Sequence, residues 1–309
     1  MTSRQTLKQK ESSTRIGDFV VISPVRNEAE YIGETISSLV HQTLRPLRWV
    51  IVDDGSTDTT ADIVARAQEE HDWILLVKLQ KRRDRQVGGG VVRAFEAGRE
   101  CVKDMDFRFL CKLDGDLKLR ATYFERILHY FNRDPELGTL SGKCYLVPDW
   151  KSGDNTTRLE FTNDEFSLGA AKFYRRECFE DIGGFVREVM WDGIDCHRCR
   201  QLGWKAASID DPELKIYHLR QMGSSHRSVF RGRMRHGYGQ YFMGTHPLYM
   251  MVSGVFRMKE RPYILGGLLM IVGYFKAAFG GVKQHGDPAF RKHLRQWQMA
   301  RLFPWLRKR

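Results

Sequence analysis

Trp49-Val50-Ile51-Val52-Asp53-Asp54-Gly55-Ser56-Thr57-Asp58 is the stretch on which the fold turns. Four consecutive apolar residues, three of them β-branched, make a strand buried on both faces, because a half-exposed strand would alternate. The aspartates, glycine and serine then break the run, and Thr57 or Asp58 is suited to N-cap a helix. That helix continues from Ala61 to Glu70. The unit is strand, polar turn, helix.

The same unit recurs on either side. Upstream, Phe19-Val20-Val21-Ile22 is a buried strand, and the helical pattern from Glu28 to His41 puts Ile32, Ile36 and Leu39-Val40 on one face. Downstream, Trp73 to Leu79 is a third strand, and Gly88-Gly89-Gly90 opens a helix to Val102. Phe107 to Leu113 is a fourth strand that ends on Asp114-Gly115-Asp116. This alternation predicts an α/β fold with a mostly parallel, Rossmann-like sheet flanked by helices, and ligands bound at the strands' carboxyl ends. The acidic motifs stand at those ends, after strands two and four.

Beyond Gly138 the pattern loosens into strand and loop. It runs through an Arg-rich turn at Tyr174-Arg175-Arg176, a Gly183-Gly184 break, a helix over Ile194–Leu202 and short strands near Lys205–Ile209 and Leu214–Tyr217. Residues 1–17 are polar and aperiodic, which predicts a flexible tail.

The apolar share of 42% and charged share of 28% are those of a globular protein. The net charge of +12 is unevenly placed. From Ile216 to Arg309 there are 17 Lys/Arg against 2 Asp/Glu, whereas the remainder carries 33 against 36. A one-sided basic block points to polyanions such as nucleic acid, anionic lipid or phosphorylated substrates, or to a solvated face. Within it, Leu248 to Phe256 is apolar, and Tyr263 to Val282 is a 20-residue run, apolar apart from Lys276, with five glycines. That length reaches across a bilayer, but the glycines and Lys276 favour an interfacial or re-entrant segment; a pair of core helices is the alternative. The flanking Arg and Lys suit anionic headgroups.

The first fifteen residues show no apolar h-region, so a cytoplasmic location is expected. Six scattered cysteines fit reduced thiols there. Cys196-His197-Arg198-Cys199 resembles half a zinc site, but no second pair stands at ligand spacing, so a helical turn with incidental thiols is expected.

An Asp-x-Asp triplet occurs by chance roughly once in a chain of this length. At Asp114 and Asp116 the setting adds meaning, because a buried strand aims two carboxylates at one point. Such oxygen ligands suit Mg²⁺ or Mn²⁺, which bind through one or two carboxylates plus substrate phosphates.

Four segments together resemble the family 2 glycosyltransferases of the GT-A fold, of the inverting, non-processive type. They are Ser23-Pro24-Val25-Arg26-Asn27-Glu28, Val52 to Asp58, Leu113-Asp114-Gly115-Asp116, and Trp191-Asp192 ahead of Arg200-Gln201-Leu202-Gly203-Trp204. The resemblance covers about residues 18 to 218 and leaves 219–309 as a basic helical region, expected to associate with membrane. It implies that Pro24, Arg26, Glu28, Asp53 and Asp54 line the nucleotide-sugar site, with Asp114 near the ribose. Asp116 would ligate the metal on the diphosphate, and His218 would stand near that metal. Asp192 would be the general base. Arg85 or Arg93 would meet a phosphate where many relatives carry a Lys. Trp191 replaces the usual Glu beside the base. The Gln-x-x-Arg-Trp motif of polymerising relatives is absent after Tyr217, which implies addition of a single sugar.

The implied reaction moves one sugar from a nucleotide-diphosphate sugar, a UDP-sugar by preference, to a hydroxyl of a lipid-linked saccharide in surface polysaccharide or glycolipid synthesis. The enzyme would lie peripherally on the inner face of the membrane. Arg220, Arg227, Arg231, Arg233 and Arg235 would be available to an acceptor diphosphate. No nucleic acid partner is expected. A nucleotidyltransferase would need a phosphate-gripping loop after strand one, where Pro24-Val25-Arg26-Asn27-Glu28 fits poorly. A nucleic-acid-binding module would use Phe230, Tyr238 and Tyr241 among the arginines. A dinucleotide dehydrogenase is disfavoured, since no G-x-G-x-x-G comes after strand one.

Overall fold

The computed structural model describes residues 15–80, 89–148, 150–151, 156–160, 163–220, 229–259 and 262–305. The chain opens with β1 (Arg15–Ile16), β2 (Phe19–Val25), α1 (Ile32–Val40), β3 (Leu44–Arg45), β4 (Arg48–Asp53), α2 (Thr60–Glu70) and β5 (Ile74–Lys78). It continues through α3 (Gly89–Glu100), β6 (Phe109–Leu113), β7 (Leu117–Leu119), α4 (Tyr123–Arg133), β8 (Leu137–Gly142), β9 (Cys144–Leu146) and β10 (Arg158–Leu159). Then come β11 (Ala171–Arg175), α5 (Arg176–Asp181), α6 (Trp191–Gln201), β12 (Lys205–Ile209) and β13 (Ile216–His218). Four helices end the chain: α7 (Val229–Met243), α8 (Pro247–Phe256), α9 (Leu265–Phe279) and α10 (Pro288–Leu302).

A seven-stranded sheet of order β12-β8-β11-β6-β2-β4-β5 forms the centre. Among the described residues β11 alone runs against its neighbours, so the expected mostly parallel sheet is present. Alternation along each strand divides the core in two. Phe19, Val21, Trp49, Ile51, Phe109 and Cys111 face one layer with Phe124 and Ile127 of α4, whereas Val20, Ile22, Val50, Val52 and Leu110 face the other with Phe95 of α3. Burial on both faces is why these strands read as unbroken apolar runs. A smaller sheet, β10-β9-β13-β7, stands beside the acidic motif and pairs His218 with Leu117.

Several expectations need correction. No element was expected over 117–137, yet β7 and α4 lie there, with Tyr123, Phe124, Ile127, Leu128 and Phe131 of α4 buried. Tyr174-Arg175-Arg176 is not a turn but the end of β11 and the start of α5. Arg175 reaches over to donate to the Phe131 carbonyl at 2.9 Å, satisfying an end of α4. Of the tail, residues 15–16 pair in parallel with Leu44–Arg45; 1–14 lie outside the described residues. The helix placed at 194–202 begins at Trp191, which puts Asp192 in its first turn.

Gly237 and Gly273 are points of close contact between helices. A Cβ on Gly237 would overlap the Met270 carbonyl, and one on Gly273 the Met234 carbonyl, so α7 and α9 cross at backbone distance. The outward face of α8 stays bare: Leu248, Met251, Val252, Val255 and Phe256 are exposed while Met250 and Gly254 are buried. On α9, Leu265, Leu268, Val272 and Phe279 are likewise exposed. Among the described residues no helix is long and apolar enough to cross a membrane. Phe290 and Leu294 of α10 pack on Ile194, fastening the basic block to α6.

Candidate active site

The loops after β2 and β4 are stitched together by side chains. Asn27, at φ 55°, accepts from Thr57 N at 2.7 Å, and its own N–H donates to Ser56 Oγ at 2.9 Å. Glu28 N donates to Thr60 Oγ1 at 2.8 Å, and Ala29 N to Asp58 Oδ2 at 3.1 Å. The polar residues of both motifs therefore serve each other first. Asp53 closes its own turn by accepting from Ser56 N at 2.9 Å and Ser56 Oγ at 2.5 Å. Asp54 is ion-paired with Arg93. Pro24 lies beyond the last β2–β6 pair, Ile22 with Lys112, where a missing N–H is tolerated. Arg85 and Arg227 fall outside the described residues.

At the end of β6 the two carboxylates part. Asp114 is ion-paired with the buried Lys112, whose ammonium also donates to the Gly169 carbonyl at 2.6 Å. The Asp114 side chain remains 35% exposed. Between them, a Cβ on Gly115 would come within 2.8 Å of Val25, so the motif lies flat on the core. Asp116 is enclosed: Arg220 Nη2 reaches it at 2.7 Å and Nε at 3.0 Å, with His218 Nε2 at 3.4 Å. Arg220 Nη2 also bonds Glu28 Oε1 at 2.9 Å. Two carboxylates and one guanidinium thus form a bridge from β2 to β6.

Burial and the neighbouring Asp116 push the Glu28 carboxyl up to about 7, Arg220 only partly opposing them. Burial works against charge on His218 too, yet its bonds to Asp116, Cys144 and Glu160 prevail and raise it to about 12. Burial also opposes ionisation of Asp116, but His218 and Arg220 overcome it and hold the carboxyl below its usual range. Asp116 and His218 are the residues that would hold Mg²⁺ or Mn²⁺, the ion taking the place of the Arg220 guanidinium on Asp116 and of the proton on His218 Nε2. Seven buried side-chain atoms lack a partner among the described residues, and three belong here: Arg26 Nη1, Glu28 Oε2 and Arg93 Nε. Buried polar atoms are rarely left so, and a bound anion with its cation would satisfy them.

Asp192 stands two residues after Met190, whose φ of 67° turns the chain into α6. The fully buried Lys172 donates to the Asp192 carbonyl at 2.7 Å and to both Asp195 oxygens at 2.6 Å. Trp191 lies between Lys112 and Lys172, 5.4 and 5.7 Å from its ring. The Asp192 carboxylate carries no hydrogen bond or ion pair among the described residues. Its Oδ2 stands 3.1 Å from where a Gly169 Cβ would be, so Gly169 separates it from the Lys112–Asp114 pair. A partly exposed carboxylate without a hydrogen bond or ion pair among the described residues is able to take a proton.

Residues 20–183 match the model of the family described as Glycosyl transferase family 2. The chain belongs to that family. The poly-beta-1,6-N-acetyl-D-glucosamine synthases of Staphylococcus aureus and Staphylococcus epidermidis are similar, 30% and 27% identical over 118 and 116 residues. Those segments make up 38% of this chain and 26% of either relative, so the chain matches about a quarter of their length. A mannosyltransferase from Pyrobaculum calidifontis, solved with GDP-Man and Mn²⁺, superposes with a TM-score of 0.51 at 18% identity, covering 98% of this chain and 88% of that one. Residues 1–349 of TarS from S. aureus, solved with UDP-GlcNAc, give 0.52 at 16% identity over 94% and 82%. At such identities the likeness establishes the fold, and it is the GT-A type.

In this family 2 protein, sequence reasoning missed Lys112, Lys172, Asp195 and Glu160 around the site. The two lysines did leave a signal: each is a lone charge inside a buried strand, which requires a buried partner. Cys196 and Cys199 are buried in α6, and among the described residues neither joins a metal-type cluster. Tyr241, considered for base stacking, packs on Tyr274 at 5.4 Å instead.

Proposed function

We propose that the protein transfers one sugar, with inversion, from a nucleotide-diphosphate sugar, a UDP-sugar by preference, to an acceptor hydroxyl. The observation that carries this is the Asp192 carboxylate, without a hydrogen bond or ion pair among the described residues, beside Gly169, whose carbonyl takes the Lys112 ammonium that pairs with Asp114. Asp192 takes the acceptor proton as the hydroxyl oxygen attacks the anomeric carbon, a role worth about 10²–10⁴ in rate. Arg26 and Arg93 donate to the diphosphate, and Pro24, Asp53, Asp54 and Asp114 shape the nucleoside pocket. Asp116 and His218 hold Mg²⁺ or Mn²⁺, which when bound neutralises charge gathering on the leaving diphosphate. With Asp192 as the base no nucleophilic carboxylate is needed, which is consistent with inversion in a single displacement.

The acceptor in this reading is a lipid-linked saccharide used for surface polysaccharide or glycolipid. Residues 18–218 form the transferase domain, and 219–309 are the membrane-associating part. The bare apolar faces of α8 and α9, next to Arg257, Lys259 and Lys276, support peripheral attachment at the inner face of the membrane. Asp192→Asn tests the chemistry. It should remove sugar transfer and leave donor affinity unchanged, and retained transfer would take Asp192 out of the mechanism.

A further inference from the structure

The small sheet gathers more than His218. β13 lies parallel to β9, and β10 runs antiparallel to β9 on its other side. Glu160 N, just past β10, donates to the Cys144 carbonyl at 2.9 Å, which seats the Glu160 side chain over β9 and against β13. There Glu160 Oε2 lies 2.8 Å from His218 Nδ1, with both side chains almost wholly buried. The opposite nitrogen, Nε2, faces Asp116 Oδ2 at 3.4 Å.

We propose that Glu160 is a positioning residue that fixes the orientation and tautomer of His218 so that Nε2 is presented to a divalent cation on Asp116. This rests on the reading of Asp116 and His218 as the metal-holding pair. An ionised carboxylate only accepts hydrogen bonds, so Nδ1 must carry its proton toward Glu160. In the neutral ring the lone pair is then on Nε2, on the side of Asp116. A buried carboxylate behind a ligand histidine stops the ring from turning and raises its basicity, and loss of such partners typically costs about 10–100-fold in metal affinity. Cys144 adjoins the same ring, its sulfur within 4.8 Å of the Glu160 and His218 ligand atoms. A cation seated among those three would lie on the other side of the imidazole, so the two arrangements exclude each other for one histidine.

Calorimetric titration of Mn²⁺ into the full chain without nucleotide sugar tests this, alongside melting and UDP binding in EDTA. Glu160→Ala should weaken Mn²⁺ about 10–100-fold while UDP affinity in EDTA stays as in the wild type; a lower melting temperature accompanies it, because the buried His218 loses its partner. Glu160→Gln keeps an acceptor for Nδ1 and loses the charge, so it should fall between the two; it carries the test should Glu160→Ala melt early. Cys144→Ala should bind Mn²⁺ like the wild type. Unchanged Mn²⁺ affinity in both Glu160 variants overturns the inference. A thiolate charge-transfer band on Co²⁺ loading that vanishes in Cys144→Ala also overturns it, by putting the cation on the other side of the ring. If the wild type takes up no Mn²⁺ while Asp192→Asn still abolishes transfer, the metal reading falls and this inference with it, but the assignment of the base survives.

Discussion

The ammonium of Lys172 donates to the carbonyl of Asp192 at 2.7 Å from a position without solvent exposure. The first turn of α6 is thereby tied to β11, and the candidate base is held by its own backbone rather than by its side chain. Lys172 can occupy this place only because Asp195, equally buried, neutralises it at 2.6 Å. Removing one partner leaves an uncompensated charge, a loss of about 3–5 kcal/mol, whereas replacing both by apolar groups is often neutral. Lys172→Met should therefore destabilise the protein by that amount in urea unfolding, and Lys172→Met with Asp195→Leu should recover most of it. A single variant within about 1 kcal/mol of the wild type would mean that the pair is not what holds α6.

The acidic cluster predicts a pH dependence of stability in the absence of metal. Glu28 is raised from 4.5 to about 7 in the folded chain, so the native state holds this proton more tightly than the unfolded one. Its contribution is then greatest below pH 4.5 and is lost as pH rises through 7. At about 1.36 kcal/mol per unit this is on the order of 3 kcal/mol. In EDTA, Glu28→Gln should flatten the fall in unfolding free energy between about pH 5 and 7.5. An equally steep fall in the variant would assign it to another group. His218, raised to about 12, adds a stabilisation that is complete below its unfolded value of 6.5 and declines above it.

How much of this was legible in the sequence depends on range. β2, β4 and β6 could be read because burial on both faces leaves an apolar run, and the acidic motifs could be placed because those runs end on them. α4 left a readable 3.6-residue pattern in Phe124, Ile127, Leu128 and Phe131, although no element was assigned there. Arg175 looked like part of a turn because its partner, the carbonyl of Phe131, lies 44 residues away. Lys172 with Asp195, and Glu160 with His218, are pairs of the same kind: each residue is ordinary until the sheet brings its partner. Gly267 and Gly273 of α9 mark where another helix passes, a partner that the run itself does not reveal.

The bare face of α8 predicts membrane behaviour. Val255→Glu with Phe256→Glu puts two carboxylates on that face without touching Met250 or Gly254, which are buried beneath it. Sedimentation with anionic vesicles should be lost in this variant, and in the wild type it should weaken as salt rises. Undiminished sedimentation of the variant would move the contact elsewhere.

The proposed site binds a nucleotide sugar together with a divalent cation at Asp116. Thermal melting with a panel of nucleotide sugars, each with and without Mn²⁺, tests it most directly, in the wild type and in Asp116→Asn. A ligand of the folded state at about 100 times its Kd adds about 2.7 kcal/mol, a rise of several degrees for a chain of this size. That rise is expected for at least one UDP-sugar, only with Mn²⁺ present, and should be lost in Asp116→Asn. No rise with any nucleotide sugar, or an equal rise in EDTA and in Asp116→Asn, would contradict it.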